Sequence, residues 1–427
     1  MLQTLRNAWK IPELRKKILF TILMILIFRL GNAIPVPFVD TAALSQYFNQ
    51  TLNNTVLGLY NAMSGSALSS ANVFALSIQP YINSSIIMQL LGIAIPALER
   101  LQKEGGEEGQ KKIARITRYV TVGLALLMGF AYFMMLRNYR LLEKTGFIYA
   151  VIIILTFTAG SAFLMWLGEQ VTEFGIGNGI SMILFAGIIS RIPASVSTSI
   201  ENIIAGSLKW YVALIILVAL LALVVVIIFI SNAERRIPVQ YSKRMVGRKM
   251  YGGQSTHLPI KVNMSGVMPI IFAQSIASLP ATLAAFFTVK EGGFVSGFLK
   301  VFDSTGAVYC IVYFILILLF SYFYAAIQYN PIEIANNLKK NGGYIPGFRP
   351  GRPTSEFIQK VINKITLFGA IYLGVVALLP NVISGITGMR SLAIGGTSVI
   401  IVVGVALETV KMLEAQMLMR HYKGFLE

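Results

Sequence analysis

Hydrophobic and polar positions alternate along this chain in long blocks, not in the short periods of a water-facing helix or strand. Runs of about 20 mostly apolar residues recur at positions 18–36, 76–95, 119–136, 147–167, 178–194, 211–230, 266–287, 307–328, 365–383 and 394–413, and each has the length of a membrane-crossing helix. Between them fall polar segments punctuated by Gly, Pro and charge, so the pattern predicts ten such helices. Arg6, Lys10, Arg15, Lys16 and Lys17 precede the first run like the charged head of a signal peptide. That run leaves through Pro35 and Pro37 with no clear small-residue cleavage site, and is read as a retained anchor. Pro80 and Pro269 fall inside their runs. Each would free a backbone carbonyl and is expected to bend its helix where a wall needs a hinge.

Composition removes the soluble alternative. Of 427 residues, 56% are hydrophobic and 13% charged, against about 25% charged in soluble domains, which is too few to clothe a water-facing surface. What charge remains is lopsided, 36 Lys and Arg against 18 Asp and Glu for a net +18. With the segments taken in alternation, 27 of the bases fall on the side that holds both termini and 8 on the other, while Arg29 lies inside the first run. Excess Lys and Arg marks the cytoplasmic side, which places both termini there. Because five is odd, two five-helix halves would run antiparallel, the plan of an inverted repeat common in membrane transport proteins. The expected division is 1–200 with the first five spans and 201–427 with the other five.

The spans carry little reactive chemistry. Ion-coupled carriers commonly place charged or His side chains in mid-membrane, where they are costly. Here Arg29 is the one clear intramembrane charge, near a helix end from which it can snorkel. Glu169, Glu173 and Glu408 lie at span ends, where a solvated or capping role accounts for them. His257 and His421 both fall outside the spans, no His-Glu-x-x-His occurs, and Cys310 has no intrachain partner. Neither metal nor thiol chemistry is indicated, and no catalytic residue or cofactor is assigned. Bulky aliphatics stand instead beside small and polar residues. Ile78 and Ile82 share a helix face in Ser77-Ile-Gln-Pro-Tyr-Ile-Asn-Ser-Ser85, as do Ile180 and Leu184 in Gly177-Asn-Gly-Ile-Ser-Met-Ile-Leu184. Spacing alone assigns them to helix packing. A channel and a secondary solute transporter with inverted repeats both stay open on these residues, the second weakened by the missing mid-membrane charges.

Two long segments on the basic side concentrate the soluble part. Residues 231–262 carry Arg235, Arg236, Lys243, Arg244, Arg248, Lys249 and Lys261 with an expected turn at Gly252-Gly253, and residues 329–364 contain Gly342-Gly-Tyr-Ile-Pro-Gly-Phe-Arg-Pro-Gly351. The Gly and Pro of the latter predict a tight, projecting tip around Arg349. Bases that only set topology would hug the membrane. On long, turn-rich loops they suit an acidic protein face or RNA. On the opposite side, residues 38–73 hold no Lys or Arg, and Leu57-Gly-Leu-Tyr-Asn-Ala-Met-Ser-Gly65 predicts a short half-buried helix in a loop of functional length.

Four stretches taken together resemble the SecY family, the central subunit of the bacterial protein-conducting channel. They are Phe74-Ala-Leu-Ser-Ile-Gln-Pro-Tyr-Ile82, Gly168-Glu-Gln-Val-Thr-Glu-Phe-Gly-Ile-Gly-Asn-Gly-Ile-Ser181, Gln254-Ser-Thr-His-Leu-Pro-Ile-Lys-Val-Asn263 and the Arg349 tip, and the likeness runs over essentially the whole chain. It implies an all-α polytopic membrane protein, with ten transmembrane helices in two inverted five-helix halves around a central pore, and no enzymatic activity. The family's constriction of aliphatic side chains maps onto Ile78, Ile82, Ile180, Leu184, Ile271 and Ile401. Its plug maps onto a segment of about 57–70 that includes Leu57, Leu59, Tyr60, Met63 and Ala67, and its lateral-gate seam onto Asn83, Gln274 and Ser275. Arg235, Arg236, Arg248, Lys249 and Arg349 match positions that dock the SecA motor ATPase or the ribosome.

The implied function is translocation of unfolded secretory polypeptides, with sideways release of membrane-protein helices through the gate. Implied partners are SecE-like and SecG-like small membrane subunits, SecA, the ribosome, preproteins with signal sequences, and the lipid bilayer of the bacterial inner membrane. The physics is coherent, because a narrow apolar ring resists water and ions by dewetting yet makes no side-chain-specific demand on a passing chain.

Overall fold

A computed structural model describes residues 2–48, 58, 61, 64–206, 209–241, 244–246, 249–251, 255–264, 266–286, 306–387 and 396–423. The first half contains α1 (Leu2–Lys10), α2 (Pro12–Gly31), α3 (Thr41–Tyr47), α4 (Gln79–Ala94), α5 (Pro96–Lys103), α6 (Gly106–Asn138), α7 (Phe147–Phe174), α8 (Gly179–Ile189) and α9 (Ile192–Ile204). There follow α10 (Trp210–Asn232), β1 (Glu234–Tyr241), β2 (Arg244–Val246), β3 (Lys249–Tyr251), β4 (Ser255–Lys261), α11 (Met268–Phe286) and α12 (Ala307–Gln328). The chain ends with α13 (Pro331–Lys340), β5 (Gly343–Tyr344), α14 (Arg352–Thr387) and α15 (Gly396–Lys423).

Each of the ten apolar runs overlaps a helix among the described residues, the fifth divided between α8 and α9 at Ser190 and Arg191. Among the described residues six stretches are long and apolar enough to cross a membrane, and α4 with α5 makes a seventh, bent by 105°. The helices α2 and α15 are long enough, at 20 and 28 residues, but charge interrupts their apolar stretches. The first turns of α2 hold Glu13, Arg15, Lys16 and Lys17, and Glu408, Lys411 and Glu414 interrupt α15.

The prolines act differently from the sequence expectation. Pro80 lies in the first turn of α4 and Pro269 is the second residue of α11. There the missing N–H costs nothing, since first-turn donors have no intrahelical acceptor and the fixed φ suits a helix start. Neither residue bends its span. The bend comes instead at Ile95, extended at φ −108 and ψ 111, immediately before the Pro96 that opens α5.

One apolar core runs through both halves, contributed by α2, α4, α6, α7 and α8 on one side and by α11, α12, α14 and α15 on the other. Within the halves α4 packs on α6, α6 on α7, α11 on α12 and α12 on α14. The halves meet where α8 packs on α15 and where α11 packs on α4 and α6. By contrast α10 is apolar all round and buries only Ile227, the signature of a helix whose surroundings are lipid or another apolar helix.

The two basic segments are joined. Antiparallel pairing runs from Glu234↔Lys261 to Gln240↔Ser255 between β1 and β4, and β5 adds to the other edge of β1 through Gln240↔Tyr344. Ile237 and Val239 alternate inward along β1 and meet Ile260, Leu338, Ile345 and Ile358 in a second, smaller core. A β-structured unit thus stands on the basic side, where the sequence read two loops. Gly252 and Gly253 lie outside the described residues.

Candidate functional site

Ile78, Ile82, Leu184, Ile271 and Ile401 are buried and Ile180 is half-buried, all within the large core. Local backbone chemistry aims the first-half members. Ser77 takes a left-handed φ of +52 and its N–H donates to the Phe74 carbonyl at 2.8 Å. The Ser161 hydroxyl of α7 donates to the Ser77 carbonyl at 3.2 Å. Such a conformation costs a non-glycine residue about 1 kcal/mol or more, and persists where its surroundings hold it. This turn delivers Ile78 at the mouth of α4, where Pro80 starts the helix.

A separate device places Ile180. Asn178 caps α8, its Oδ1 accepting from the N–H of Ile180 at 3.0 Å and of Ser181 at 3.3 Å. The Thr172 hydroxyl accepts from Gly179 N–H at 2.9 Å, and a Cβ at Gly179 would overlap the Gly168 carbonyl of α7. Gly168 in turn leaves a bare patch. A Cβ there would sit 3.4 Å from Cδ1 of Ile78 and of Ile183, and 3.5 Å from Cγ1 of Ile180. Side chains from α4 and α8 therefore converge over one glycine of α7.

The second-half members border a cavity of about 350 Å³, lined by Ile271 of α11, Ile401 of α15 and, across from them in sequence, Asn178 and Ser181 of the α8 mouth. Lys261, Glu408 and Lys411 also line it, so it grades from apolar to charged. Among the described residues no group of three or more His, Cys, Asp or Glu is placed to hold a metal.

At the seam between halves, Asn83 is half-buried on α4, while Gln274 and Ser275 are buried on α11, the helix that packs against α4 and α6. On the opposite side from the basic unit, Ala67 is fully buried. Gly58 and Asn61 are helical, but Ser64 and Gly65, the end of the expected helix, already lie in the turns that lead to α4. The turn segment is tied down. Tyr132 of α6 donates to the Leu68 carbonyl at 2.6 Å, Asn61 Oδ1 accepts from Ser69 N–H at 2.9 Å, and Ser66 and Ala71 hold positive φ. Leu57, Leu59, Tyr60 and Met63 lie outside the described residues.

On the basic unit Arg235 and Arg236 are exposed, and Arg236 pairs with Glu234, Nε to Oε1 2.7 Å. Arg349 projects from a rigid tip. Phe348 stacks on Phe357 at 4.2 Å, the Thr354 hydroxyl donates to the Arg349 carbonyl at 2.8 Å, and Gly347 and Gly351 take φ of +88 and +106, which glycine alone adopts without strain. Lys249 opens β3 with its side chain outside the described residues, as is Arg248.

Sequence reasoning did not single out Ser77, Thr172 or Asn178 as positioning residues. Asn178 was findable, since Asn directly before an apolar run is a helix-start signal. Ser77 carries no such signal, because its strained turn depends on Ser161 some 80 positions away.

Comparison with known proteins bears on this geometry. The SecY family model matches residues 72–410. The chain is 43% identical over 440 residues to the protein translocase subunit SecY of Streptomyces scabiei and 43% over 438 residues to that of Bacillus subtilis, with 100% of each chain covered in both cases. Its fold is similar, with TM-score 0.66 at 18% identity over 94% of this chain and 92% of the other, to a solved structure described as a protein conducting channel. Sec61 in the canine ribosome-channel complex from the endoplasmic reticulum gives TM-score 0.62 at 16% identity, again covering 94% and 92%. The ten apolar runs and the predominantly helical fold are those of a multi-span membrane channel protein, and this chain belongs to the SecY family.

Proposed function

We propose that this chain is the channel subunit of a protein translocase, passing unfolded secretory polypeptides through its centre and releasing membrane-protein helices sideways. The observation that carries the reading is the convergence of Ile78 and Ile180 of the first half over Gly168, beside a cavity that Ile271 and Ile401 of the second half border together with Asn178 and Ser181 of α8. In this reading Ile78, Ile82, Ile180, Leu184, Ile271 and Ile401 form the ring that resists water at rest and yields to a polypeptide. Residues 1–200 and 201–427 are the two halves, and they part along the seam of Asn83, Gln274 and Ser275. A segment in the seam partitions between channel and lipid by its apolarity. The stretch of about 57–70, anchored at Ala67, is the plug.

The excess of bases on the side of both termini supports a cytoplasmic placement of that side in a bacterial inner membrane. There Arg235, Arg236, Arg248, Lys249 and Arg349 would dock a SecA motor or a ribosome, and small SecE-like and SecG-like subunits would complete the complex. The driving force comes from those partners, and this chain contributes no catalytic step. The test is reconstitution of the purified complex in vesicles with SecA, ATP and a preprotein. Protease-protected preprotein inside the vesicles is expected. Vesicles that protect none yet accumulate a small solute would overturn the reading in favour of a secondary carrier.

A further inference from the structure

Gln89 of α4 and Tyr324 of α12 join the two halves through their side chains, the Tyr324 hydroxyl donating to Gln89 Oε1 at 3.1 Å. We infer that this hydrogen bond is a latch across the seam, which sets how apolar an entering segment must be before the halves part. The inference rests on the channel reading above. Both ends of the bond are held in place. Gln89 Nε2 donates to Ser85 Oγ at 3.4 Å one turn back along α4, which orients the amide. The Tyr324 ring packs on Phe272 of α11 with centroids 5.3 Å apart, and on Phe323 at 6.5 Å. Tyr324 also borders the cavity shared with Ile271 and Ile401, so the latch and the ring adjoin one space.

The surroundings give the bond its leverage. Ile87, Leu90 and Leu91 of α4 flank Gln89 and are exposed, so the outer side of the seam is apolar. Where water is scarce a hydroxyl and an amide that lose each other find no ready substitute. Separation of α4 from α12 leaves both groups without their mutual partner. An apolar segment lying between them restores neither hydrogen bond, and must offset the loss by the surface it buries. A weakly apolar segment has less to offer and leaves the latch shut. The bond thereby acts on discrimination between segments and not on passage itself.

The experiment uses the full chain in its purified complex, reconstituted in vesicles with the SecA motor, and two preproteins that differ only in the apolar length of the signal. Tyr324→Phe removes the hydroxyl and keeps the ring, and Gln89→Leu removes the amide and keeps the bulk. Each is expected to raise transport of the short-signal preprotein roughly three- to five-fold, the leverage of one neutral hydrogen bond in a membrane interior. Transport of the long-signal preprotein should stay within about two-fold of wild type, and the double variant should gain no more than either single one, as for two ends of one bond. Short-signal transport unchanged in both single variants, or effects that multiply in the double, would overturn the latch. Transport of the long-signal preprotein by the wild type tests the channel reading separately: if it fails, that reading falls, whereas its success with no selectivity change in the variants removes the latch alone.

Discussion

Arg118 of α6 and Glu169 of α7 form an ion pair with Nε and Oε1 2.9 Å apart. Glu169 directly follows Gly168, the glycine over which Ile78 and Ile180 converge, so the pair fastens α6 to the helix that carries that glycine. The Arg118 side chain is 52% exposed and that of Glu169 23%, and solvent therefore screens much of the attraction.

The expected contribution is correspondingly small. Glu169→Gln and Arg118→Ala should each lower the stability of the detergent-solubilised protein by about 0.5–1 kcal/mol, with a coupling in the double variant of the same size. Raising the salt concentration should shrink it. Thermal unfolding at low and high ionic strength measures both quantities, and a large coupling that salt does not touch would mean that the pair is shielded from water.

Ile82→Asn and Ile401→Asn keep the number of side-chain heavy atoms while shrinking the side chain and placing a hydratable amide at the proposed ring. Losing roughly 1.5–3 kcal/mol of apolar burial corresponds to a rise of ten-fold or more in the wetted population of the constriction. Passive ion flux through vesicles containing either variant should rise by about that factor, and preproteins with poor signals should be admitted. Unaltered flux in both would show that these two side chains do not form the seal.

The spans were legible because lipid imposes one rule on every crossing segment, about 20 apolar residues in a row, and the runs at 147–167 and 211–230 fall wholly inside α7 and α10. Non-local chemistry was less so. Glu169 read as solvated because its partner Arg118 lies 51 positions away. The pairing of 231–262 with 329–364 was hidden for the same reason, since Gln240 meets Tyr344 across more than one hundred residues. Pro80 read as a bend because its run began at Leu76, whereas the left-handed turn at Ser77 delays the helix until Gln79. Aliphatic spacing placed Ile78, Ile82, Ile180 and Leu184 on common faces but could not tell a pore lining from ordinary packing. Only the family resemblance supplied that assignment.

Arg349→Glu tests the projecting tip. The side chain is exposed and takes no part in the small core of Ile237, Ile260, Ile345 and Ile358. Stability should therefore change by no more than about 0.5 kcal/mol. Motor-driven preprotein transport should fall roughly ten-fold or more, since reversing a docking charge adds repulsion to the loss of attraction. The decisive comparison is between SecA-driven transport and SecA binding to the same vesicles. Weakened binding with intact unfolding curves supports docking at Arg349, and full transport by the variant sinks it.

The neighbouring residues Asn178 and Gly179 separate capping from close approach. Asn178→Ala deletes the acceptor of two helix N–H groups, a loss of about 1 kcal/mol. Gly179→Ala is more severe, because the added Cβ overlaps the Gly168 carbonyl. Backbone within two packed helices cannot rotate away as a side chain can. The helices α7 and α8 must then move apart, at an expected cost of about 1–3 kcal/mol or more, and the gap opens beneath Ile180, one residue on. Thermal unfolding should rank Gly179→Ala below Asn178→Ala, and ion flux should rise chiefly in the former, since it alone displaces a ring member from Gly168. Equal flux in the two variants would mean that the α7–α8 contact does not hold Ile180 in the constriction.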